Sequence, residues 1–266
     1  MPQYFVDTNC LLGLTFFHDR WHRDVKPLYE NNRIYISEAV LYEYCNRGDG
    51  DPPLPDDPSA ESITCEAEEG KYDDIRTDLE QKLPHFDREI KRLTREGLTT
   101  ERVIEAAIDH FEIREQAEPQ VEEFIEDYFD DRALVERQAK AAVRALIDRI
   151  LYTSEQNKSA LLGEVWLVDS QYHRMQDTRE DIEYATDKWI QESDFCILLD
   201  GVSLAQSTRV DRMATGDGGY LHAEEVTAPR YGLSLVWAEN EFYTDDLVYH
   251  RKEAEAALQG PTGQTD

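Results

Sequence analysis

The stretch YFVDTN, residues 4–9, decides how the fold begins. Its first three residues are aromatic or β-branched and follow closely on Pro2, a pattern that predicts a short buried strand. Its last three are residue types that occur where a strand ends and the chain turns. Ligands of open α/β sheets bind just outside the carboxyl ends of the strands. Asp7 is therefore either a turn residue or the first member of a functional site.

Strand-like and helix-like segments alternate outward from this stretch. The predicted elements are the strands 4–6, 33–37, 212–215 and 233–239 and the helices 16–32, 37–47, 159–175, 178–193 and 194–207. Ser37 is the predicted cap of the helix that follows the second strand. Strands separated by helices indicate an α/β fold with a mostly parallel sheet flanked by helices.

The middle of the chain has a different character. GDGDPPLPDDPSA, residues 48–60, is rich in turn formers and marks a break. From 70 to 152 the chain is charged, and its apolar residues form three helical stripes that begin at Phe86, Val121 and Val143. Three consecutive amphipathic helices predict an α-helical module that packs on itself or on the core.

We therefore divide the chain into a sheet-containing unit, an inserted module and a tail. The sheet-containing unit spans 1–250, with core segments 1–47 and 160–250, and the helical insertion spans 52–155. The tail, 251–266, is polar and is expected to be disordered.

The net charge of −29 is the most prominent feature of the composition, and only eight of the 28 basic residues are lysines. Much Asp and Glu with little Lys resembles proteins from organisms with molar intracellular salt, which indicates a halophilic protein. At about 1 M salt the Debye length falls to about 3 Å, so repulsion between like charges is screened. The acidic balance therefore does not exclude a nucleic-acid substrate.

The cysteines and the apolar segments indicate a cytoplasmic protein. Cys10, Cys45, Cys65 and Cys196 have no CxxC spacing, so neither a zinc ribbon nor a disulfide framework is predicted, and we expect thiols packed as small apolar groups. No basic and apolar leader opens the chain, and its apolar stretches are shorter than a membrane span.

Four acidic residues fall where an α/β fold would display them. Asp7 ends the first strand, Glu43 lies inside the helix after the second strand, Asp194 opens an apolar helix and Asp217 follows the RMAT strand. Each has an ordinary structural explanation, such as a turn, a helix cap or a side chain reaching solvent. Their common placement near strand ends indicates a shared site.

The sequence around these acids resembles the PIN-domain family of metal-dependent nucleases, which includes toxin nucleases of the VapC type. The resemblance rests on FVDTN, ISEAVLYE, DFCILL and ATGD, which occur in the family's order. It covers roughly positions 1–47 and 160–240 and leaves out the helical insertion, which is much longer than the linking segment of compact members. It implies a PIN-like α/β fold.

The resemblance also implies an endonuclease, in the first place a ribonuclease, that hydrolyses phosphodiester bonds with Mg²⁺ or Mn²⁺. These cations prefer oxygen ligands, so a carboxylate cluster suffices. The implied catalytic residues and metal ligands are Asp7, Glu43, Asp194 and Asp217, and the side chains placed to orient them are Thr8, Asn9 and Thr215.

The implied partners are RNA, in preference to DNA, and an antitoxin or other protein partner if the chain is a toxin. A homodimer is a further expectation, and no membrane partner is expected. A second class of function stays open, in which the site is catalytically idle and the helical insertion docks a protein or an RNA. The presence of all four acids favours the enzyme.

Two other patterns point to different chemistry but lack a required residue. His18 and His22 have the spacing of two zinc ligands on one helix face, but Asp19 stands where a zinc protease needs glutamate, and we expect both histidines to face solvent. An aspartyl-phosphate phosphatase would carry aspartate at the position of Asn9.

Basic residues of the helical insertion form two stripes at helical spacing. They are Arg88, Lys91, Arg92 and Arg95 in the first stripe and Arg137, Lys140 and Arg144 in the second. One interpretation is that they bind the nucleic-acid backbone, and the other is that they pair with neighbouring acids such as Glu89, Glu96 and Glu136.

Overall fold

The computed structural model describes residues 2–19, 22–46, 70–186, 190–207 and 210–237. Five strands in these ranges form one sheet in the order β3-β2-β1-β4-β5, and every neighbouring pair is parallel. The strands are β1 (Gln3–Val6), β2 (Arg33–Ser37), β3 (Trp166–Val168), β4 (Arg212–Thr215) and β5 (Ser234–Trp237). The predicted α/β class with a parallel sheet is confirmed.

Helices occupy most of the remaining described residues. They are α1 (Thr8–Thr15), α2 (His22–Asn31), α3 (Glu38–Asn46), α4 (Lys71–Glu96), α5 (Thr100–His110), α6 (Glu118–Phe129), α7 (Glu136–Glu164), α8 (Gln176–Thr186), α9 (Glu192–Gln206) and α10 (Gly218–Leu221). Shorter helical turns lie at Tyr172–Arg174 and from Glu224 to Tyr231. None of the helices in the described ranges combines the length and the apolar composition needed to cross a membrane.

The strand order creates a crevice beside the central strand. From β1 the chain builds the sheet outward through β2 and β3, and it then crosses to the other side of β1 for β4 and β5. Val6 is paired with Ala214, so β1 and β4 end side by side. The carboxyl ends of strands at such a reversal of strand order are where open α/β sheets bind ligands.

The sheet is buried between helices because its central strands are apolar on both faces. Phe5 and Val6 of β1 are fully buried, and α9 packs against Phe5. A Cβ added at Gly201 of α9 would lie 3.0 Å from the ring of Phe5, so a glycine permits this approach. The packing fixes the position of the acidic first turn of α9 relative to β1.

The helical insertion has a core of its own. Its buried apolar residues come from α4, α5, α6, α7 and their connections, and include Phe86, Ile90, Val121, Val143 and Ile147. These residues belong to the three stripes predicted from the sequence. The structure adds a helix that the sequence interpretation missed, α5, whose Val103, Ile104 and Ala107 are buried in the same cluster.

The start of the chain differs from the prediction. Residues 7–9 do not form a turn, because α1 begins at Thr8 and Asp7 caps it. The helix predicted over 16–32 begins only at His22. His18 lies between the two helices and is 7% exposed, so the prediction that His18 faces solvent from a shared helix face was wrong. Helix α1 is buried on nearly every side, so its sequence lacks the repeat of apolar and polar residues that predicts a helix.

The predicted helix over 159–175 was also wrong. Helix α7 ends at Glu164, and Trp166, Leu167 and Val168 form the edge strand β3. A short apolar run cannot be assigned to helix or strand by periodicity alone. The break at 48–60 and the tail at 251–266 lie outside the described residues.

The cysteines correct a further prediction. Cys10 and Cys196 are free and buried, as expected, whereas Cys45 is disulfide-bonded. A single disulfide depends on which cysteines lie close together in space, and the spacing of cysteines in the sequence does not show this.

Candidate metal centre

Asp7 joins β1 to β4 at the crevice. Its Oδ1 accepts a hydrogen bond from the Cys10 amide at 2.9 Å, which caps α1. Its Oδ2 accepts from the hydroxyl of Thr215, the last residue of β4, and from the amide of the next residue, Gly216, at 3.2 Å. Burial raises the pKa of Asp7 above its ordinary value, and these hydrogen bonds oppose the rise.

Glu43 approaches the same crevice from α3. Its side chain is 1% exposed, and its two oxygens have different partners. The Thr8 hydroxyl donates to Oε2, and the ammonium of Lys71, the first residue of α4, lies 2.7 Å from Oε1. Thr8 and Thr215 therefore have the same role, because each hydroxyl donates a hydrogen bond to one carboxylate oxygen, that of Glu43 and that of Asp7.

Asp194 lies in the first turn of α9, close to the other acids. Burial raises its pKa to about 7, the negative charges of Glu43, Asp217 and Asp7 add to the rise, and the Lys71 ammonium opposes it. Asp194 therefore lies near enough to the other three carboxylates for their charges to act on it. The structure thus brings all four predicted acids into one electrostatic cluster.

Asp217 caps α10 and places a tyrosine inside the cluster. Its Oδ1 accepts from the Gly219 amide at 2.8 Å, and its own amide donates to the Thr215 hydroxyl at 2.9 Å. Tyr220, one turn on, is 2% exposed, and its hydroxyl has no hydrogen-bond partner in the described structure. Burial raises the Tyr220 pKa, and the charges of Asp194, Asp7, Glu43 and Asp217 raise it further.

The donor set fits a hard divalent cation such as Mg²⁺ or Mn²⁺. It consists of carboxylate oxygens, and the unpartnered Tyr220 hydroxyl is a buried polar group that a bound water could satisfy. No group of three or more His, Cys, Asp or Glu side chains in the described ranges has the spacing of a formed metal site. The oxygens of Glu43 and Asp7 are instead directed to Lys71, Thr8 and Thr215.

Of the side chains predicted to orient the acids, two make such contacts. Thr8 and Thr215 are buried and donate to Glu43 and Asp7. Asn9 is half-buried, and its side chain makes no hydrogen bond to the described residues.

Asp200, a further buried carboxylate, links α9 to α3. Asp200 accepts from the Ser170 hydroxyl at 2.7 Å and from the amides of Gln171 and Tyr172 at 2.6 Å and 3.0 Å. The Ser170 hydroxyl oxygen also accepts from the Ala39 amide at 3.0 Å. Because α3 carries Glu43 and α9 carries Asp194, this network fixes the two acids relative to each other. Burial raises the pKa of Asp200 to about 6, against these hydrogen bonds.

The two basic stripes come together on one surface. The Arg144 guanidinium donates to Asp87 at 2.6 Å between α7 and α4, and Lys140 pairs with Glu136, whose pKa Lys91 and Arg95 also lower across the helices. The basic surface consists of Arg88, Lys91, Arg92, Arg95, Arg137, Lys140 and Arg144.

The members of the basic surface differ in their pairing. Arg92 is held by Glu89 and by Glu96 at 2.7 Å. Arg88, Lys91, Arg95 and Arg137 are exposed and have no ion pair with any described residue. Pairing with neighbouring acids is thus observed for Arg92, Lys140 and Arg144. Binding of the nucleic-acid backbone by the other four stays a prediction.

Sequence reasoning missed Lys71, Tyr220 and Asp200. Lys71 follows a turn-rich segment and carries no motif, so only the fold brings it to Glu43. Tyr220 had a weak signal, since it follows Asp217 at helical spacing in GDGGY. Asp200 lies six residues after Asp194 in an apolar helix, where an unexplained carboxylate is itself informative.

No protein-family model, curated protein or solved structure matches this chain.

Proposed function

We propose that the protein is a PIN-like, metal-dependent endonuclease that hydrolyses phosphodiester bonds of RNA. The observation that supports this proposal is the electrostatic coupling of Asp7, Glu43, Asp194 and Asp217 at the crevice between β1 and β4. Neighbouring carboxylates repel one another, so such a cluster destabilises the fold unless positive charge offsets the repulsion. Carboxylate oxygens are the ligands that a divalent cation such as Mg²⁺ or Mn²⁺ prefers.

The chain's own residues supply the positioning. Thr8 and Thr215 hold one oxygen each of Glu43 and Asp7, which limits the rotation of both carboxylates. Asp7, Glu43, Asp194 and Asp217 would hold the cation. A bound Mg²⁺ or Mn²⁺ supplies stabilisation of phosphoryl charge and activates water for hydrolysis. Asp7 and Glu43 are buried, which strengthens their interaction with a bound cation.

The basic surface favours a polyanionic substrate. In a chain of net charge −29, four exposed bases without ion pairs to described residues are available for phosphate. Three of them, Arg88, Arg95 and Arg137, can form bidentate hydrogen bonds that persist at high salt better than point-charge contacts. An antitoxin, a homodimer and a cytoplasmic, salt-rich setting stay predictions from the sequence.

The test is Mn²⁺-dependent cleavage of single-stranded RNA in high KCl. Asp7→Asn and Asp194→Asn keep the side-chain shape but remove a ligand charge, so cleavage should fall by at least about a hundredfold while the far-ultraviolet circular dichroism is unchanged. Asp148→Asn, which removes the same charge from an exposed position on α7, should cleave normally. Full cleavage by either site variant, or by wild type in excess EDTA, would refute the metal mechanism.

A further inference from the structure

Helix α4 begins directly against α3, the helix that carries Glu43. Gly70 precedes α4, and a Cβ added there would lie 2.7 Å from Cys45 Cα and closer still to the Tyr44 carbonyl oxygen. Real Cβ atoms do not approach backbone so closely, so only glycine permits this contact without displacement. The contact brings the first residue of α4, Lys71, beside α3.

The residue after Lys71 is anchored in the core of the sheet. The ring of Tyr72 is 2% exposed and stacks on Phe16 with ring centroids 5.2 Å apart. Its hydroxyl donates to Glu155 at 2.8 Å, and the Lys158 ammonium lies 4.1 Å from its ring centroid. Lys71 is therefore held between two fixed neighbours, and its place at the site follows from the backbone.

The Lys71 side chain is directed at the carboxylate cluster. Its ammonium is 2.7 Å from Oε1 of Glu43, and its charge also reaches Asp194. Glu43 is almost fully buried whereas the Lys71 side chain is 33% exposed, so the ammonium can reach solvent when another cation takes its place, but the carboxylate cannot.

We propose that Lys71 is a resident cation of the cluster, which occupies Glu43 until a divalent cation binds and displaces it. The ammonium and a divalent cation are attracted to the same oxygens and repel each other, so full occupation by both is unfavourable. This inference rests on the proposed metal site. It makes the affinity for the cation depend on the position of α4, and so links the helical insertion to the centre.

The first test is calorimetric titration of metal-free protein with Mn²⁺ at fixed pH and KCl. Lys71→Met removes the competing charge and should tighten binding by about tenfold, while the melting temperature of the metal-free protein falls because buried Glu43 loses the Lys71 ammonium. Lys71→Arg should behave like wild type. The matched control is Lys82→Met, which removes the same charge from α4 at a lysine paired with Asp78 and Glu112.

The second test needs no variant. Limited acylation of wild-type protein, followed by peptide mass spectrometry, should modify Lys71 several-fold faster with Mn²⁺ than without it, whereas Lys82 should not change. Unchanged or weaker Mn²⁺ binding by Lys71→Met, or Lys71 labelling that Mn²⁺ does not raise, would overturn the inference.

The metal site itself is tested separately by Asp194→Asn. If wild type and Asp194→Asn bind Mn²⁺ equally, the proposed centre is wrong, and the inference falls with it. If Asp194→Asn weakens binding but Lys71→Met does not tighten it, only the inference is wrong.

Discussion

The hydroxyl of Thr215 on β4 donates a hydrogen bond to the carboxylate of Asp7 at the end of β1. The two residues are far apart in sequence but meet where the strand order reverses. Asp7 also caps α1 and accepts from the Gly216 amide, so one carboxylate ties together two strands and a helix. The Thr215 hydroxyl in turn accepts from the Asp217 amide, which carries the linkage to α10.

This relationship predicts that Thr215→Val is destabilising. The substitution keeps the volume but leaves an Asp7 oxygen and the Asp217 amide short of a partner, so the free energy of unfolding should fall by about 1–3 kcal/mol. The control is Thr227→Val, because Thr227 is equally buried and its hydroxyl has no partner in the described structure. Urea denaturation should show Thr227→Val neutral or stabilised. Equal losses in both variants would show that the Asp7 contact is energetically unimportant.

The second prediction concerns the unpartnered hydroxyl of Tyr220. Tyr220→Phe removes a buried polar group that bonds to nothing described, so the metal-free protein should be as stable as wild type or slightly more stable. If the hydroxyl gains a partner when the cation and its waters bind, the rise in melting temperature on adding Mn²⁺ should be smaller in the variant. Identical rises in both proteins would mean that the hydroxyl takes no part in the centre.

The third prediction is a pH dependence that arises from Asp200. Its pKa is about 6 in the folded protein and near 4 when unfolded, so the folded state binds the proton more tightly. The contribution of Asp200 to stability is therefore greatest below pH 4 and is lost as pH rises from 4 to 6. The loss should be about 3 kcal/mol.

Asp200→Asn isolates this effect. Its amide oxygen can still accept from the Gln171 and Tyr172 amides, but it cannot ionise. The difference in unfolding free energy, wild type minus variant, should become more negative between pH 4 and 6 and be level above about pH 7. A difference that stays constant over the whole range would contradict a raised pKa.

The particular residues of the site explain how far the sequence could predict it. Three of the four candidate acids could be selected from local features, because Asp7 and Asp217 follow predicted strands and Asp194 opens a predicted helix. Glu43 lies inside α3, beside its apolar positions. Lys71 was not identifiable, since its position depends on the contact of Gly70 with α3 across an intervening segment. Helix α1 and strand β3 were mistaken for other structures because short apolar segments have no distinguishing period. The sequence could not show which members of the basic surface form ion pairs, because that depends on their neighbours in space.

The last prediction is that the exposed arginines of the basic surface affect the binding of long RNA but not of short RNA. Arg88 and Arg95 lie about 26 Å and about 36 Å along α4 from Lys71, so an oligonucleotide bound at the carboxylate cluster must be long to reach them. Replacing both by glutamine should weaken binding of a long RNA several-fold and reduce the magnitude of its salt slope by about 1.4. Turnover of a very short RNA should not change.

The matched control removes two arginines that already have acidic partners. Arg92 and Arg144 are paired with Glu96 and Asp87, so their double replacement by glutamine changes the net charge equally but removes fewer free contacts. Long-RNA affinity should fall less in this control than in the Arg88 and Arg95 variant, as measured by fluorescence anisotropy over a KCl series. Equal losses in both variants would indicate a response to net charge alone. Unchanged affinity with a lowered melting temperature would place Arg88 and Arg95 in the packing of the helical insertion instead.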